Sequence, residues 1–169
     1  MFIRVTLGIL WLLVSSQNVA AQDLPPTIHL LERLAMGAAL ERSAGPLGPH
    51  LRIVLDPMIV HANEAPGGRD SARRDAGRNA YLTQSFGARL EERASVVVCD
   101  EGCRLRDADA FVTLAHPEVR GADATVTVTI LRPTKRGMQP RVYYYTVNVL
   151  LRRQGSDWRV VGFQTLGIS

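Results

Sequence analysis

The last third of the chain alternates apolar and polar residues, and this alternation fixes much of its secondary structure. From position 125 the sequence reads TVTVTIL, so Val126, Val128 and Ile130 alternate strictly with threonines. The run 143–151 likewise puts every second residue on one side, beginning with Tyr143 and Tyr145. Because successive side chains of a strand point to opposite faces, both runs predict strands of a sheet with one dry face. That face requires a cover.

Turn-forming residues divide this part of the chain into four strands arranged as two hairpins. An apolar strand at 111–115 is followed by HPEVRG at 116–121, which turns the chain into the Thr/Val strand. The longest loop is RPTKRGMQP at 132–140, and QGSD at 154–157 is a tight turn. The residues 158–166 then close the sheet. Glycine and proline mark these turns because their backbone conformations suit tight reversals.

Upstream segments can supply the cover. A stripe of apolar residues at three- and four-residue steps predicts a helix over 27–42. The β-branched run 51–60 predicts a strand, and Pro57 places it at an edge or bends it there, because proline donates no ladder hydrogen bond. A second, polar helix is predicted over 70–93, with Asp70 as its N-cap.

This order of elements predicts an α+β fold, with a curved antiparallel sheet of about five to six strands packed against two to three helices. The order, which ends in DWRVVGF at 157–163, resembles the nuclear-transport-factor-2-like or cystatin-like roll, and the resemblance covers about 24–169. In that roll a curved sheet wraps a long helix into a cone. The resemblance implies a pocket between sheet and helices, but no activity, since the superfamily includes isomerases, dehydratases, hydrolases and pure binding domains.

The N-terminal 21 residues have the layout of a secretory signal peptide. Arg4 gives a positive start, the apolar run 5–14 follows, and Val19-Ala20-Ala21 is a small-residue cleavage site. The apolar run is short for a bilayer, so we expect no stable membrane span after cleavage, although an uncleaved anchor is the rival interpretation. The mature chain, 22–169, has the length of a single domain. The layout of this signal peptide is typical of a bacterial exported protein, so we expect the protein to be secreted or periplasmic.

The charge pattern does not favour nucleic acid as a partner. The formal net charge is +4, and the densest basic run, RDSARRDAGR at 69–78, is interrupted by Asp70 and Asp75. Mixed signs at helical spacing are typical of a solvated helix face with internal ion pairs. Aromatic residues that could stack on bases do not interleave these arginines.

Two cysteines are the most specific local feature. In an exported chain Cys99 and Cys103, with no third cysteine, predict one disulfide that staples a loop around Gly102. The alternative is thiol or copper chemistry, with His116 as a third ligand beside two thiolates. Asp100 and Glu101 argue against that alternative, because neighbouring carboxylates raise thiol pKa values.

The candidate pocket residues come from the strands and the second helix. Asp56, His61, Tyr81, Tyr143 and Tyr145 could face what the sheet encloses. Strict alternation would put Asp56 and His61 on opposite sides, so an acid–base pair needs Pro57 to reset the register. Zinc-helix spacings, nucleophile elbows and phosphate loops are missing from the sequence, so no metal, cofactor or catalytic set is predicted.

Three functional hypotheses remain at this point. The sequence favours a non-catalytic module that binds a small apolar ligand or a partner protein. The alternative is a small pocket enzyme of isomerase, dehydratase or hydrolase type, which requires at least two ionisable groups to converge inside the cone. A thiol- or copper-handling protein using Cys99 and Cys103 is the third.

Overall fold

In the computed structural model of the protein the described residues are 26–44, 51–60, 73–100, 102–133 and 142–168. The predicted signal peptide, 1–21, and the candidate residue His61 lie outside them.

Three helices are present in this part of the chain: α1 (Pro26–Ala44), α2 (Ala76–Phe86) and α3 (Arg93–Val96). The first confirms the predicted N-terminal helix. Its fully buried apolar side chains recur at four- and five-residue steps, so they form one stripe facing the sheet: Leu31, Ala35, Met36, Ala39 and Leu40. Of the helices described, none is both long and apolar enough to cross a membrane.

The second helix is shorter than predicted, and both of its ends have a local cause. Helix α2 is capped by Asp75 rather than Asp70, because the Asp75 carboxylate accepts a hydrogen bond from the Arg78 backbone N–H at 2.7 Å. It ends where Gly87 adopts a left-handed conformation with φ of 60°. In the rest of the predicted helix, Arg73–Arg74 and Arg89–Leu90 form two-residue strands and Arg93 begins α3, while 70–72 lie outside the described residues.

The described residues also form ten strands. They are β1 (Ile53–Val60), β2 (Arg73–Arg74), β3 (Arg89–Leu90), β4 (Val97–Cys99), β5 (Cys103–Leu105), β6 (Ala110–Ala115), β7 (Glu118–Arg120), β8 (Asp123–Pro133), β9 (Val142–Gln154) and β10 (Asp157–Ile168). Eight of them form one sheet in the order β10-β9-β8-β6-β1-β2, with β3 paired to β1 and β7 paired to β8. Strands β4 and β5 pair only with each other within the described chain.

The sheet differs from the predicted one in direction, size and curvature. It is mixed rather than antiparallel, because β1 runs parallel to β6 and to β3. The chain between β1 and β6 passes through α2, and such a crossover joins parallel neighbours. The sheet also has more strands than the five to six predicted and is not strongly curled. The extra strands β2, β3 and β7 are two or three residues long, too short to show a period in the sequence.

The prediction for Pro57 offered two outcomes, and the edge position is wrong, because β1 pairs with β6 on one side and with β2 and β3 on the other. An interruption of the ladder near Pro57 is present. The pairing of β1 with β6 shifts register between Leu55 and Ile59, the interval that contains Pro57. Because proline has no backbone N–H, the regular ladder cannot continue through it.

One face of the sheet, called here the inner face, is covered by α1. The predicted alternation is confirmed, since the inner side chains of β8 and β9 are buried in one core with those of α1: Val126, Val128, Ile130, Tyr145, Val147, Val149 and Leu151. Trp158, Val160 and Phe163 of β10 pack against the same core. The tight turn at 154–157 is confirmed as well, with Gly155 at a φ of 64°.

The opposite face, called the outer face, is covered by described residues at one end only. There α3 and the β4–β5 hairpin lie over a second apolar core made of Val54, Val96, Ala108, Phe111, Leu131 and Val142. The side chains on both faces of β6 are therefore buried, whereas the sequence indicated a sheet with only one buried face. The other end of the outer face, on β8, β9 and β10, lies beyond this cover and contains the site described next.

Candidate functional site

A groove of about 370 Å³ crosses the uncovered end of the outer face. It reaches from β7 over β8 and β9 to β10, and its lining residues on β8 and β9, apart from Ala124, alternate with those of the inner core. The lining residues are His116, Glu118, Arg120, Asp123, Ala124, Thr125, Thr127, Asn148, Leu150, Gln164 and Leu166.

The floor of the groove is a set of cross-strand rows fixed by the register. Thr127 of β8 lies opposite Asn148 of β9, which lies opposite Gln164 of β10. In the neighbouring row Thr125 lies opposite Leu150. The Thr127 hydroxyl donates a hydrogen bond to Oδ1 of Asn148 at 2.7 Å. That contact uses the amide oxygen and fixes the amide orientation, so the Asn148 Nδ2 donor is left for a bound group.

The rim of the groove carries charges that are paired. Arg152 donates from Nε to Oδ1 of Asp123 at 2.7 Å, and Asp123 raises the pKa of this guanidinium. Arg120 donates from Nη2 to Oε2 of Glu118 at 3.4 Å. Arg152 lies beside the lining rather than in it, and with Arg152 included the two arginines balance Glu118 and Asp123 in charge. The groove is thus built for hydrogen bonding and apolar contact rather than for an ion.

Strand β10 adds exposed apolar surface beside the groove. Val161 and Leu166 are 50% and 53% exposed, and among the described residues this strand pairs only with β9. The β9–β10 pairing is interrupted by register shifts between Val160 and Gly162 and between Thr165 and Gly167. Such bulges protect a sheet edge against further strand pairing. The accessible surface is therefore the face of β10 rather than its edge.

A second polar feature lies on the other side of the molecule, inside the protein. We call Glu32, Asp75, Arg78 and Asn79 the buried polar cluster; their exposed fractions are 0%, 1%, 0% and 7%. Nε of Arg78 donates to both carboxylate oxygens of Glu32, at 3.0 and 3.1 Å, and Nη1 donates to Oδ1 of Asn79 at 2.8 Å. The expectation that the run 69–78 forms a solvated face is therefore wrong at Arg78.

Burial changes the protonation of two carboxyl groups in this region. It raises the pKa of Glu32 from 4.5 to about 7, although the nearby Arg78 guanidinium acts in the opposite direction. Burial also raises the pKa of Asp56, partly offset by a hydrogen bond from the Met58 backbone N–H. Perturbed carboxyl groups of this kind occur in functional sites and also in structural ion pairs.

The described candidate pocket residues lie in two places: Tyr81, Tyr143 and Tyr145 pack in or against the inner core, and Asp56 lies on β1. Tyr145 is buried in the inner core, where its hydroxyl accepts a hydrogen bond from Nε of Arg42 at 3.1 Å, and Tyr143 packs against that core. Tyr81 lies on α2 with its ring centroid 6.1 Å from that of His29. Asp56 is buried on β1, where the charges of Arg78, Glu92 and Arg93 act on it.

In the described part of the chain no hydrogen bond joins any two of Asp56, Tyr81, Tyr143 and Tyr145, and none of the four lines the groove. Of the residues that the sequence did not identify as functional candidates, only those of the groove floor had a recognisable sequence pattern. The groove floor is formed by the polar positions of the same alternation whose apolar positions predicted the inner core. The buried polar cluster had none, because a buried arginine and an exposed one look alike in a helical charge pattern.

The predicted disulfide is confirmed. Cys99 ends β4 and Cys103 begins β5, and their sulfur atoms are 2.04 Å apart. The two sulfurs are therefore not available as thiolates, which a copper site would need. His116 lies in the groove lining, and the described residues contain no group of three or more histidines, cysteines and carboxylates placed to hold a metal.

Comparison with known proteins returned no match: no protein-family model, curated protein or solved structure is similar to this chain.

Proposed function

We propose that this protein is an exported, non-catalytic binding module that holds a polypeptide segment of a partner protein in the groove on its outer face. The observation that carries the proposal is the location of the groove. The inner face is filled by α1, whereas the far end of the outer face is lined by side chains that have no cover in the described part of the chain.

The composition of the groove favours a polypeptide. Thr125, Asn148 and Gln164 offer donors and acceptors that suit backbone amides, and Leu150 and Leu166 offer apolar contact between them. Across three strand spacings the groove floor extends about 14 Å, which matches roughly four residues of extended chain. The paired charges of the rim favour a segment without strong charge.

A small apolar ligand is supported less well. The fold resemblance implied a cavity between the sheet and its long helix, but side chains of α1 occupy that space: Leu31, Ala35, Met36, Ala39 and Leu40 are fully buried against the sheet. The relation to the nuclear-transport-factor-2-like or cystatin-like roll remains part of the proposal. A long helix on the apolar face supports it, and the mixed, weakly curled sheet departs from it.

A small pocket enzyme is the second candidate, and one observation favours it. The pKa of Glu32, raised to about 7, lies in the range where a carboxyl group works well as a general acid or base. However, neither Glu32 nor Arg78 has any exposed surface, so a substrate could reach them only if α2 moved.

Site-specific photo-crosslinking of the full chain in cells that naturally produce it tests the proposal. Benzoylphenylalanine replaces Leu166 on β10 or, as a matched control, Ser156 in the β9–β10 turn; both positions are exposed. We expect a discrete protein adduct from position 166, none from position 156, and loss of the adduct when Thr127→Arg fills the groove.

Equal labelling from both positions, or no protein adduct from position 166, would contradict the proposal. A low-molecular-weight compound retained by the wild-type protein in native mass spectrometry, and lost in Thr127→Arg, would instead indicate a small ligand. A catalytic activity that survives Thr127→Arg and is lost in Glu32→Gln would favour the enzyme.

A further inference from the structure

A row of charged side chains lies beside the groove, one position on each of four neighbouring strands. Arg120 of β7 is opposite Asp123 of β8, and Asp123 is opposite Arg152 of β9. Arg152 is in turn opposite Arg159 of β10. Residues directly opposite each other share a face of the sheet, and Asp123 lines the groove, so all four lie on the outer face. We call these four residues the arginine row.

The arginine row holds three guanidinium groups and one carboxylate, and Arg159 is left over when its contacts are assigned. Asp123 accepts from Arg152, and Arg120 donates to Glu118 outside the row. Arg159 is exposed and makes no hydrogen bond or ion pair within the described part of the chain. Arg159 therefore adds one unpaired guanidinium to a rim whose other charges balance.

The nearest acid along β10 does not neutralise Arg159. Asp157 lies two positions away, towards the β9–β10 turn, and accepts a hydrogen bond from the Ser156 hydroxyl at 3.3 Å. Among the described residues no ion pair joins Asp157 to Arg159. The group directly opposite Arg159 is another guanidinium, and like charges directly opposite each other destabilise a sheet. A carboxylate bound between Arg152 and Arg159 would remove this repulsion.

Both arginines have donors left for such a carboxylate. The contact of Arg152 with Asp123 uses Nε, so its Nη groups remain, and Arg159 retains all of its N–H groups. The planar fork of a guanidinium matches the two oxygens of a carboxylate, and this contact is stronger than a neutral hydrogen bond.

The groove floor leads directly to this pair. Leu150 lies two positions before Arg152 on β9, a separation of about 7 Å along the strand, which one acidic side chain can span. Opposite Leu150 on β10 is Gly162, and a Cβ there would lie 3.5 Å from Cδ1 of Leu150. Because Gly162 has no side chain, the Leu150 side chain covers it, and the apolar floor continues towards the arginine row.

We propose that the partner segment in the groove carries one acidic residue, whose carboxylate binds between Arg152 and Arg159 while the rest of the segment is uncharged. The inference rests on the proposed function, since it names the chemistry of the segment that the groove holds. It also sets the placement of the segment, with the acidic side chain towards the β9–β10 turn and apolar side chains over Leu150 and Leu166.

Selection of phage-displayed random heptapeptides on the immobilised full chain tests the inference. On the wild type we expect enriched peptides to share one Asp or Glu at a constant distance from an apolar residue, and to be lost on Thr127→Arg. Arg159→Glu should reverse the preference to Lys or Arg at that position. Arg153→Glu is the matched control: it makes the same charge change opposite Trp158, on the inner side of the same hairpin, and should select like the wild type.

Affinities of one enriched peptide, measured by fluorescence polarisation, give the size of the effect. Arg159→Glu should bind it at least about tenfold more weakly, because a repulsive charge replaces an attractive one. Replacing the peptide's acid by its amide should weaken binding to the wild type and not to Arg159→Glu. Arg159→Glu should melt no lower than the wild type, because it removes a pair of like charges, so weaker binding would not reflect unfolding.

The possible failures are distinguishable. Groove-dependent peptides without an acid preference, or with the same preference in Arg159→Glu, would overturn the inference and leave the proposed function standing. Absence of any enrichment that Thr127→Arg abolishes would contradict the proposed function and the inference with it. If the peptides lack an acid preference and vesicles of anionic phospholipid bind the wild type but not Arg159→Glu, the arginine row recognises a membrane surface, and the inference is likewise overturned.

Discussion

Arg78 of α2 and Glu32 of α1 form an ion pair with no exposed side-chain surface, and Nε lies 3.0 Å from Oε1. The two residues are 46 positions apart in the sequence, and their contact connects the two helices. Removing one member of such a pair leaves the other buried without its counter-charge, which costs more than removing both.

For this pair, Arg78→Met is therefore expected to destabilise the protein by about 3–5 kcal/mol. The double variant Glu32→Leu with Arg78→Met should lose less than the two single variants together. Urea unfolding at neutral pH measures all three. As a control, Arg104→Met removes an exposed pair with Asp100 and should cost no more than about 1 kcal/mol. Additive losses in the double variant would contradict the coupling.

The inner face of β8 provides a second prediction. Val128 is fully buried in the inner core, so Val128→Asp places a carboxyl group where it has no partner and should abolish cooperative folding. Thr127→Asp, one residue away on the groove floor, is the matched control and should still fold. Circular dichroism melting curves of both variants check this. A wild-type melting temperature for Val128→Asp would show that the face assignment is wrong.

The disulfide provides a third prediction. The bridge between Cys99 and Cys103 closes a hairpin with a sequence separation of 4, so Cys99→Ser with Cys103→Ser should lower stability by about 2 kcal/mol. The outer core would lose part of its support, while the inner core and α1 would stay intact. Chemical denaturation with and without the bridge measures the difference. A complete loss of folding would mean that the outer cover is needed for the whole domain.

The contact between Arg52 and Asp109 provides a prediction on acid sensitivity. The Arg52 side chain donates to both Asp109 oxygens, at 3.2 and 3.1 Å, and its backbone N–H donates at 2.9 Å; together these hold the pKa of Asp109 below its ordinary value of 3.8. A lowered pKa stabilises the folded state above the ordinary value, and this contribution is lost as the pH falls through the lowered one.

At neutral pH, Asp109→Asn should therefore be less stable than the wild type by no more than about 1 kcal/mol, because the pair is partly exposed. The difference should disappear in strong acid. Urea unfolding of the two proteins at several pH values measures it. A difference that grows as the pH falls would contradict the assignment.

The sequence predicted the parts of the fold that depend on local periodicity. The alternation of Val126, Val128 and Ile130 with threonines correctly gave the inner core, and the apolar stripe of α1 gave its cover. The same rule places Thr127 and Asn148 on the outer face, which is where the groove lies. Alternation is local, so one chain is enough to detect it.

What the sequence did not predict depends on contacts between distant residues. The parallel pairing of β1 with β6 and the packing of α3 over Phe111 have no local signature. Arg78 was expected in water because the charges around it alternate in sign, yet Glu32 pairs with it from another helix. The close packing of α1 side chains against the inner face likewise has no local signature.

The most direct test of the central claim, that the outer-face groove holds a partner, is hydroxyl-radical footprinting of Leu166 in the purified protein and in intact cells that produce it. Leu166 is 53% exposed, and Val119, which is 45% exposed and does not line the groove, serves as the internal reference. We predict that Leu166 is oxidised in the purified protein and protected in cells, while Val119 reacts alike in both. Equal oxidation of Leu166 in the two settings would contradict the account.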